Sequence, residues 1–357
     1  MTRCASNVSL VASVLVLFGG TSAEHEVSCV SAASVVSALQ THHHHVVAVG
    51  IDRSGGWHLV DVGSPDGVEV PEVVRLEPVG EIVHLLTPGG RLLSETGSDI
   101  VVDAVFPVLH GPFGEDGTVQ GLLEVAGLPY VGAGVLGSAV GMDKDMARRL
   151  FSEADLPLAK SVVVRHADWI NNRADVAGRL KQQLGFPIFV KPASLGSSVG
   201  ISKVERDDQL EVALSLAFEH GPKAMVEEAV AGREIEVAVL EGPRMSVPGE
   251  IVPPPGHWYD YESKYQDEET VLHVPAHLSS AEVADVQALA GRAFEALDLT
   301  GLARVDFFFE EAGRGFLLNE VNTMPGMTSR SMFPLLWEAS GLKYPDLIDG
   351  LVKAAIG

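Results

Sequence analysis

Residues 303–332 read ARVDFFFEEAGRGFLLNEVNTMPGMTSRSM. The segments 302–309 and 316–321 are rich in β-branched and aromatic residues, and the intervening EEAGRG contains two glycines. Two such segments joined by a short glycine-containing turn are typical of a β-hairpin. We therefore predict a hairpin whose turn lies near Gly313 and whose second strand leads into the segment NTMPGMTSRS.

Four polar side chains are expected on one face of this hairpin. With the turn near Gly313, Asp306 lies opposite Glu320 and Arg304 lies opposite Asn322, and alternation along each strand points all four to the same side. Opposed residues have Cβ atoms about 4.5–5.5 Å apart, so two carboxylates there must protonate or share a cation. Carboxylate and amide oxygens suit Mg²⁺, so this face predicts a metal–nucleotide platform beside Arg304. A solvent-facing edge of mixed charge is the alternative.

Composition limits the possible partners. The 357 residues are enough for two or three domains, and 46% hydrophobic with 20% charged residues is typical of a globular chain. The net charge of −23 argues against nucleic acid and anionic membranes, because both bind basic surfaces. An anionic substrate would need a local basic pocket. The two cysteines, Cys4 and Cys29, make no disulfide framework, so we expect a reducing, cytoplasmic location.

The first apolar segment, residues 8–18, could be a secretory signal or a buried β-strand. The polar sequence GGTSAEHEVS follows it in place of a small-residue cleavage site, so the strand is favoured. No apolar run approaches the roughly 20 residues that span a bilayer, and no membrane association is expected.

Strands alternate with helices over residues 1–133, which predicts a parallel sheet. Ligands of such sheets bind beyond the carboxyl ends of the strands. Two polar sites fall there, with Glu24 after the first strand and His110 with Glu115 after a later one. Glu24 suits a substrate ammonium, although the helix dipole also favours a lone acid at a helix start. A lone histidine such as His110 is more often structural.

The histidines at 42–45 lie between a predicted helix and a predicted strand. Adjacent residues of an extended segment point to alternate faces, so the four cannot all bind one metal ion, and a metal site is disfavoured. Residues 53–97 are rich in glycine, proline and valine, and they predict a short extension of the sheet.

Residues 134–235 are predicted to form a second domain that contains two informative lysines. Lys144 lies in a predicted helix that follows a loop, and Lys191 ends a strand before the glycine- and serine-rich loop 194–200. Small residues let backbone N–H groups approach phosphate, although a plain hairpin turn has the same composition. Two lysines beside such a loop, in a chain this acidic, favour a phosphate site.

Two further strands are predicted as a pair, with Glu227 and Glu234 bracketing their turn. These acids could receive ribose hydroxyls or an adenine amine, or they could lie in a solvated turn. The last domain, residues 236–357, has an aromatic-rich stretch without periodicity at 253–275, which is typical of a lid. Ser331 begins the helix after the hairpin, where free N–H groups and the helix dipole favour a carboxylate.

Motifs along nearly the whole chain resemble those of the D-alanine–D-alanine ligases of the ATP-grasp superfamily. In order they are GGTSAEHEVS, LHGPFGEDGTVQGLLE, MDK, VKPASLGSSVG, VEEAVAGREIEV, DYESKY, ARVDFFFE and NEVNTMPGMTSRS. The resemblance implies an α/β chain with an N-terminal Rossmann-like parallel-sheet domain at 1–133. Two α+β ATP-grasp domains at 134–235 and 236–357 would then sandwich ATP, with the lid loop at 253–275. Relatives often have arginine at the position of His25.

The resemblance also implies roles for individual residues. ATP would be bound by Lys144, Lys191, Ser197, Ser198, Glu227 on the adenine side, Glu234 at the ribose, and Lys264. Two Mg²⁺ or Mn²⁺ ions would be held by Asp306, Glu320 and Asn322.

For the amino-acid substrates, Glu24 would hold the first ammonium and His110 would lie near the first carboxylate. The catalytic residues implied by the resemblance are Glu24, Ser197 and Tyr265 in a hydrogen-bonded closure, Lys264 at the transferred phosphate, and Arg304 with the Gly326 backbone at the oxyanion. Ser331 and the Met332 amide would hold the second carboxylate.

The implied reaction joins two D-alanine molecules for peptidoglycan precursor synthesis. ATP phosphorylates the first carboxylate, and the amine of the second molecule attacks the acyl phosphate. Because an acyl phosphate hydrolyses readily, a lid that excludes water is expected. Relatives imply a homodimer. One alternative is a ligase whose second substrate is D-lactate or D-serine, and the presence of Tyr265 in the lid argues against D-lactate. The other alternative is a catalytically inactive homologue that acts as a nucleotide sensor.

Overall fold

Three sheets of seven, four and six strands organise the chain. The computed structural model describes residues 11–63, 75–87, 89–196, 199–254 and 270–357. Within these residues no helix is both long enough and apolar enough to cross a membrane. The mixed α/β architecture agrees with the fold class predicted from the sequence.

The first sheet contains strands of both directions. Its strands are β1 (Ser13–Gly19), β2 (His45–Ile51), β3 (Trp57–Val60), β4 (Glu81–Leu86), β5 (Arg91–Ser94), β6 (Asp99–Val101) and β7 (Ala104–Val108). Its helices are α1 (His25–Thr41) and α2 (Thr118–Ala126). The strand order is β6-β5-β4-β3-β2-β1-β7, and β1 is parallel to both β2 and β7. The parallel part of the prediction is thus confirmed, and the extension predicted at 53–97 is its antiparallel continuation.

The central strand β1 is enclosed in the core. Residues 14–18 have no exposed surface, which fits a buried strand and not an N-terminal signal segment. Residues 99–108 form two separate strands, because β6 pairs antiparallel with β5 whereas β7 pairs parallel with β1. Asp103 lies between them, and its carboxylate accepts a hydrogen bond from the Ser13 N–H at 2.7 Å.

The second sheet is antiparallel and has its own helices. Its strands are β8 (Ser161–Arg165), β9 (Ile188–Pro192), β10 (Ser202–Val204) and β11 (Lys223–Glu228), in the order β10-β9-β11-β8. The helices are α3 (Val135–Met142), α4 (Lys144–Glu153), α5 (His166–Asn171), α6 (Arg173–Gln183) and α7 (Leu210–Phe218), with a 3₁₀ turn at Asp207–Gln209.

Helix α3 replaces the loop that was predicted before Lys144. The glycines of this segment were interpreted as part of a loop, but in the structure they lie in a helix and allow it to pack closely against its neighbours. A Cβ on Gly137 would lie 2.7 Å from the Leu299 side chain, and one on Gly141 would lie 3.0 Å from Thr323. The small residues therefore let α3 approach the last part of the chain.

The third sheet contains the predicted hairpin. Its strands are β12 (Arg233–Leu240), β13 (Arg244–Met245), β14 (Gly249–Val252), β15 (Val271–His273), β16 (Leu302–Glu310) and β17 (Gly315–Asn322). The order is β15-β14-β12-β16-β17, with β13 beside β12. The helices are α8 (Ser280–Ala296), α9 (Met332–Ala339) and α10 (Tyr344–Ile356). Strands β11 and β12 were predicted as a pair, but they belong to different sheets, and residues 229–232 carry the chain across.

The register of the hairpin is as predicted near the polar residues. Arg304 pairs with Asn322 and Asp306 pairs with Glu320. The register then shifts, because Phe307 lies opposite residue 318 and Asn319 is an additional residue in β17. This β-bulge was not predicted, and alternation alone would have turned residue 319 toward the core. Asn319 instead lines the same cleft as Asp306.

The histidine run connects the two ends of the chain. His44 is fully buried, its Nδ1 accepts a hydrogen bond from the Ala12 N–H at 3.1 Å, and its Nε2 lies 3.0 Å from Asp349 in α10. His42 lies 3.2 Å from Asp346 in the same helix. Burial alone would raise the pKa of Asp349, but hydrogen bonds from Lys353 and His44 hold it below its usual value. The contacts of His42 and His44 therefore join this run to α10.

Replacing His44 tests this connection. His44→Ala leaves the Ala12 N–H without its acceptor and removes one of the partners of the Asp349 carboxylate, so we expect the free energy of unfolding to fall by about 1–3 kcal/mol. Chemical denaturation measures the change. The exposed neighbour provides the control, since His45→Ala should alter stability by less than about 0.5 kcal/mol. A loss of stability on adding a chelator would instead indicate that the histidines bind a metal.

Candidate active site

A cleft opens between the second and third sheets. Its volume is about 290 Å³, and residues of β9 and β11 face residues of β12, β16 and β17 across it. The charged residues that line it are Lys191, Glu227, Glu228, Glu234, Glu236, Asp306 and Glu320. Acids predominate, so any polyanionic ligand must depend on a few cations and on metal ions for charge compensation.

Arg304 is the centre of a hydrogen-bonded network on the hairpin face. Its Nε and Nη2 donate to the two carboxylate oxygens of Asp306 at 2.8 Å each, and Nε also lies 3.0 Å from Glu236. The side-chain amide of Asn322 donates to Asp306 at 2.8 Å. Because Glu320 pairs with Asp306 across the hairpin, the four polar residues lie together on one face.

The donor atoms of this face fit a hard divalent cation. Asp306 and Glu320 supply carboxylate oxygens, and Asn322 can supply an amide oxygen. Among the described residues, no group of three His, Cys, Asp or Glu side chains is suited to hold a metal ion. The protein would therefore supply few ligands, as is usual for Mg²⁺, and water or phosphate oxygens would complete the coordination.

Two lysines approach the acids from the second sheet and its helices. Lys144 Nζ donates to the Leu195 carbonyl at 2.8 Å and lies 3.5 Å from Glu320. Lys191 Nζ lies 2.5 Å from Glu227. Burial lowers the pKa of Lys191 to about 7, although the negative charge of Glu320 opposes the shift. An incoming anion would favour the charged form of this lysine.

Glu227 is also held from behind by an arginine. Its carboxylate forms an ion pair with Arg148 as well as with Lys191. Arg148 Nη1 donates to the Ala159 carbonyl at 2.8 Å, and burial lowers the pKa of Arg148 to about 10. In this structure Glu227 is therefore the shared counter-ion of two buried cations at the rim of the cleft.

Asp143 fixes the position of Lys144 and of the loop that follows β9. Its carboxylate caps α4 by accepting two backbone N–H bonds. It also accepts a hydrogen bond from the Ser194 hydroxyl at 3.2 Å and pairs with Lys223 of β11 at 2.6 Å. One carboxylate thus ties a helix start, a glycine-rich loop and a strand together.

A second cluster lies where the first sheet meets the segment after β17. A Cβ on Gly111 would lie 2.6 Å from Glu24 Oε2, and the φ of Gly111 is +74°, so only glycine fits there. Glu115 Oε2 accepts a hydrogen bond from the Gly111 N–H at 2.7 Å, and Oε1 accepts one from the Met324 N–H at 3.3 Å. Burial raises the pKa of Glu115 to about 8, and the charge of Glu24 adds to the rise.

His110 presents a hydrogen-bond acceptor within this cluster. Its Nδ1 lies 3.0 Å from the Met324 carbonyl oxygen, so Nδ1 carries the hydrogen and donates. Its Nε2 is buried, with no hydrogen-bond partner among the described residues. Burial lowers the pKa of His110, although Glu24 opposes the shift. A neutral ring with a lone pair at Nε2 suits a ligand that donates a hydrogen bond.

The segment after β17 ends at the start of α9. A Cβ on Gly326 would lie 2.9 Å from Ser331 Oγ, so glycine allows the backbone to approach this hydroxyl. Ser331 is the N-cap residue of α9, and its hydroxyl is hydrogen-bonded to that of Thr328 at 2.7 Å. The first N–H groups of α9, beginning at Met332, are available to a carboxylate.

Comparison with protein families covers both halves of the chain. The model described as the D-ala D-ala ligase N-terminus matches residues 13–133, and that of the D-ala D-ala ligase C-terminus matches residues 150–353. The chain belongs to the D-alanine–D-alanine ligase family. The resemblance inferred from the sequence motifs is thus confirmed.

Individual relatives are similar in sequence to this chain over almost its full length. A D-alanine–D-alanine ligase of Geobacillus thermodenitrificans is 45% identical over 348 residues, which cover 96% of this chain and 94% of the relative. That of Streptomyces coelicolor is 46% identical over 365 residues, covering 96% and 92%. Among solved structures, VanG D-Ala:D-Ser ligase from Enterococcus faecalis has a TM-score of 0.83 at 34% identity and covers 97% and 100%. The ligase from Coxiella burnetii has a TM-score of 0.82 at 35% identity, covering 97% and 94%.

The residues predicted for this family fall into the two clusters described. At the cleft lie Lys144, Lys191, Glu227, Glu234, Arg304, Asp306, Glu320 and Asn322, and at the second cluster lie Glu24, His110, Gly326, Ser331 and Met332. Ser197, Ser198, Lys264 and Tyr265, with residues 255–269 of the predicted lid, lie outside the described residues.

Sequence reasoning missed several residues that organise the site of this family member. Arg148 and Lys223 act through ion pairs with distant residues, which no local pattern reveals. Asn319 reaches the cleft only because of a bulge. Glu115 was noted as a polar neighbour of His110, but its contact with Met324 joins residues 209 positions apart.

The pKa of His110 predicts a pH dependence of stability. In the unfolded chain a histidine protonates near pH 6.5, whereas burial keeps His110 neutral in the fold. The unfolded state then binds more protons below pH 6.5, so stability falls as the pH is lowered through that value. Urea unfolding at pH 7.5 and 5.5 should show a larger loss for the wild type than for His110→Gln. Equal losses would mean that His110 is already protonated in the fold.

Proposed function

We propose that this chain joins two molecules of D-alanine into D-alanyl-D-alanine for peptidoglycan synthesis, converting ATP to ADP and phosphate. The observation that carries the proposal is the acid-lined cleft, in which Arg304 bonds to Asp306 next to Asn322. Curated D-alanine–D-alanine ligases about 45% identical over 96% of the chain support it.

ATP is assigned to the cleft between the second and third sheets. Lys144 and Lys191 would contact the phosphates, Glu234 would accept from the ribose hydroxyls, and Glu227 would lie on the adenine side. Phosphate needs local positive charge in this acidic chain, and the two lysines at the cleft support the assignment. Ser197, Ser198 and the lid lysine Lys264 are proposed to complete the phosphate contacts.

Two divalent ions, Mg²⁺ or Mn²⁺, are assigned to Asp306, Glu320 and Asn322. Such ions, when bound, neutralise the charge of the phosphates during phosphoryl transfer. The support is the all-oxygen donor set on one face of the hairpin. The protein's own contribution is to hold these oxygens on adjacent strands, which fixes their spacing.

The amino acids are assigned to the second cluster. Glu24 would bind the ammonium of the first D-alanine, whose carboxylate is then phosphorylated by ATP. The N–H groups at the start of α9, with Ser331, would hold the carboxylate of the second, and its free amine attacks the acyl phosphate. Arg304 and the Gly326 N–H would stabilise the oxyanion that forms, and donors of this kind contribute about 3–4 kcal/mol. Phosphate then leaves, and Tyr265 with Ser197 would close the site against water.

The family resemblance also supports a proposal for the domains, the oligomeric state and the location of the protein. Residues 1–133, 134–235 and 236–357 would form three domains, each built on one sheet, although β12 begins at Arg233 and so crosses the second boundary. A homodimer in the cytoplasm is proposed. Exposed apolar side chains on the neighbouring helices α2 and α3, Leu122, Val125 and Leu136, are available for such a contact.

Product analysis tests the function directly. Incubation with ATP, Mg²⁺ and D-alanine should yield D-alanyl-D-alanine and ADP in equal amounts, with phosphate release that depends on D-alanine. Mass spectrometry with D-serine and D-lactate in competition identifies the second substrate. A mixed product such as D-alanyl-D-serine in excess would reassign the specificity, and ATP binding without turnover would identify a nucleotide sensor.

The metal assignment predicts an effect of Asn322→Ala. Loss of one oxygen ligand should raise the Mg²⁺ concentration needed for half-maximal turnover by at least about tenfold. Titration of Mn²⁺ followed by electron paramagnetic resonance should show the same weakening without turnover. Asn171→Ala, at an exposed helix end, is the matched control and should change neither value. Unchanged Mn²⁺ affinity in Asn322→Ala would remove this residue from the metal site.

A further inference from the structure

The segment 324–327, Met-Pro-Gly-Met, is anchored at its first residue by the loop that follows β7. The Met324 N–H donates to Glu115 Oε1 at 3.3 Å. The Met324 carbonyl accepts a hydrogen bond from His110 Nδ1 at 3.0 Å. Both backbone groups of one residue are therefore bound by side chains that lie more than 200 positions earlier in the chain.

The last residue of this segment is anchored in the same way. The Met327 N–H donates to the buried Ser31 hydroxyl of α1 at 3.3 Å, and the Met327 carbonyl accepts from the Tyr344 hydroxyl at 2.5 Å. The two residues between the anchors are Pro325, whose φ is fixed by its ring, and Gly326. The direction of the Gly326 N–H is consequently determined by the anchors on either side.

Glu115 is the one ionisable carboxylate among these anchors. It is partly buried, and both of its oxygens accept hydrogen bonds from backbone N–H groups, one at Gly111 in its own loop and one at Met324. The charged groups that act on it are Glu24, which raises its pKa, and Arg304, which lowers it. Glu115 thus connects the loop beside Glu24 with the segment that carries Gly326.

We propose that Glu115 is a positioning residue that aims the Gly326 N–H at the oxyanion in the second half of the reaction. The inference rests on the proposed function, because it takes the Gly326 N–H and Arg304 as the oxyanion donors. Glu115 itself touches no substrate in this account. It acts through Met324, two residues before the glycine, because its two oxygens accept hydrogen bonds from the Gly111 and Met324 N–H groups.

The two steps of the reaction differ in whether they need the Gly326 N–H. Formation of the acyl phosphate uses the lysines of the cleft and the first carboxylate, and it does not need the Gly326 N–H. Attack by the amine generates the tetrahedral oxyanion and does need it. If amine attack slows, water attacks the acyl phosphate instead, breaking the bond between carbonyl carbon and phosphate oxygen. That side reaction returns D-alanine and phosphate, so ADP accumulates without dipeptide.

Glu115→Gln is the decisive variant. Glutamine keeps the shape and one acceptor oxygen, but its NH₂ group cannot accept from the second backbone N–H. We expect dipeptide formation to slow by about 10- to 100-fold. Complete loss of one oxyanion donor typically slows a reaction by about 100- to 1,000-fold, and a misaligned donor should cost less. The ratio of ADP to dipeptide should rise from near one to several, and KM for ATP should change by less than about twofold.

Asp116→Asn is the matched control. Asp116 also accepts two backbone N–H bonds, from Phe113 of its own loop at 2.9 Å and from Thr118 at the start of α2 at 3.0 Å, and neither partner belongs to the segment 324–327. The control should keep the ADP-to-dipeptide ratio near one. An increase in both variants would attribute the effect to general loosening of the loop and would overturn the proposal.

The outcomes separate this inference from the proposed function. If the wild type forms no dipeptide, the function itself fails. If the wild type forms dipeptide and Glu115→Gln keeps a ratio near one, the positioning role fails. Should the glutamine variant not fold, as judged by its thermal transition, Glu115→Asp replaces it. That variant keeps the charge but is shorter by one methylene, so it cannot reach both N–H groups, and the same change in ratio is expected.

Discussion

Charge compensation in the cleft is the constraint on which the rest of the site depends. Six acids line one cleft of a chain that has 48 acidic and 25 basic residues, namely Glu227, Glu228, Glu234, Glu236, Asp306 and Glu320. A buried charge that loses its partner costs about 3–5 kcal/mol, so Arg304 must stay close to Asp306. The cations that stabilise the fold are also those that a polyphosphate would attract. The same cationic side chains would therefore stabilise the fold and bind a polyphosphate.

The distribution of the hydrophobic core determines which parts of the molecule form a unit. One core joins β1 and α1 of the first sheet to Phe333 and Trp337 of α9 and to Ile348 of α10. The strands of the second sheet and the helices α5, α6 and α7 have a separate core around Leu180, Val190 and Leu214. If the proposed ATP cleft changes in width, a movement of the second sheet against the other two would consequently disturb the fewest core contacts. The second cluster, which lies within the joined unit, would keep its geometry during such a movement.

The sequence specified local features well and long-range ones poorly. The register of Asp306 with Glu320 followed from two glycines in a turn and from strict alternation in the flanking strands, and the structure confirms it. Alternation cannot show a bulge, so Asn319 was missed. The pairing predicted between the strands at Glu227 and Glu234 was wrong, because the choice of sheet depends on contacts far along the chain. Motif resemblance located the lysines, but not their counter-ions such as Arg148.

Arg304 interacts with residues of both clusters. Its guanidinium bonds to Asp306 through two nitrogens, and its charge also lowers the pKa of Glu115 in the other cluster. A lysine could not take over both tasks, because an ammonium lacks the planar fork that binds a carboxylate through two parallel hydrogen bonds. The carboxylates of Asp306 and Glu236 therefore hold the guanidinium in place beside the second cluster. The preorganisation that the chemistry requires is in this way supplied by the residues that compensate the charge of the cleft.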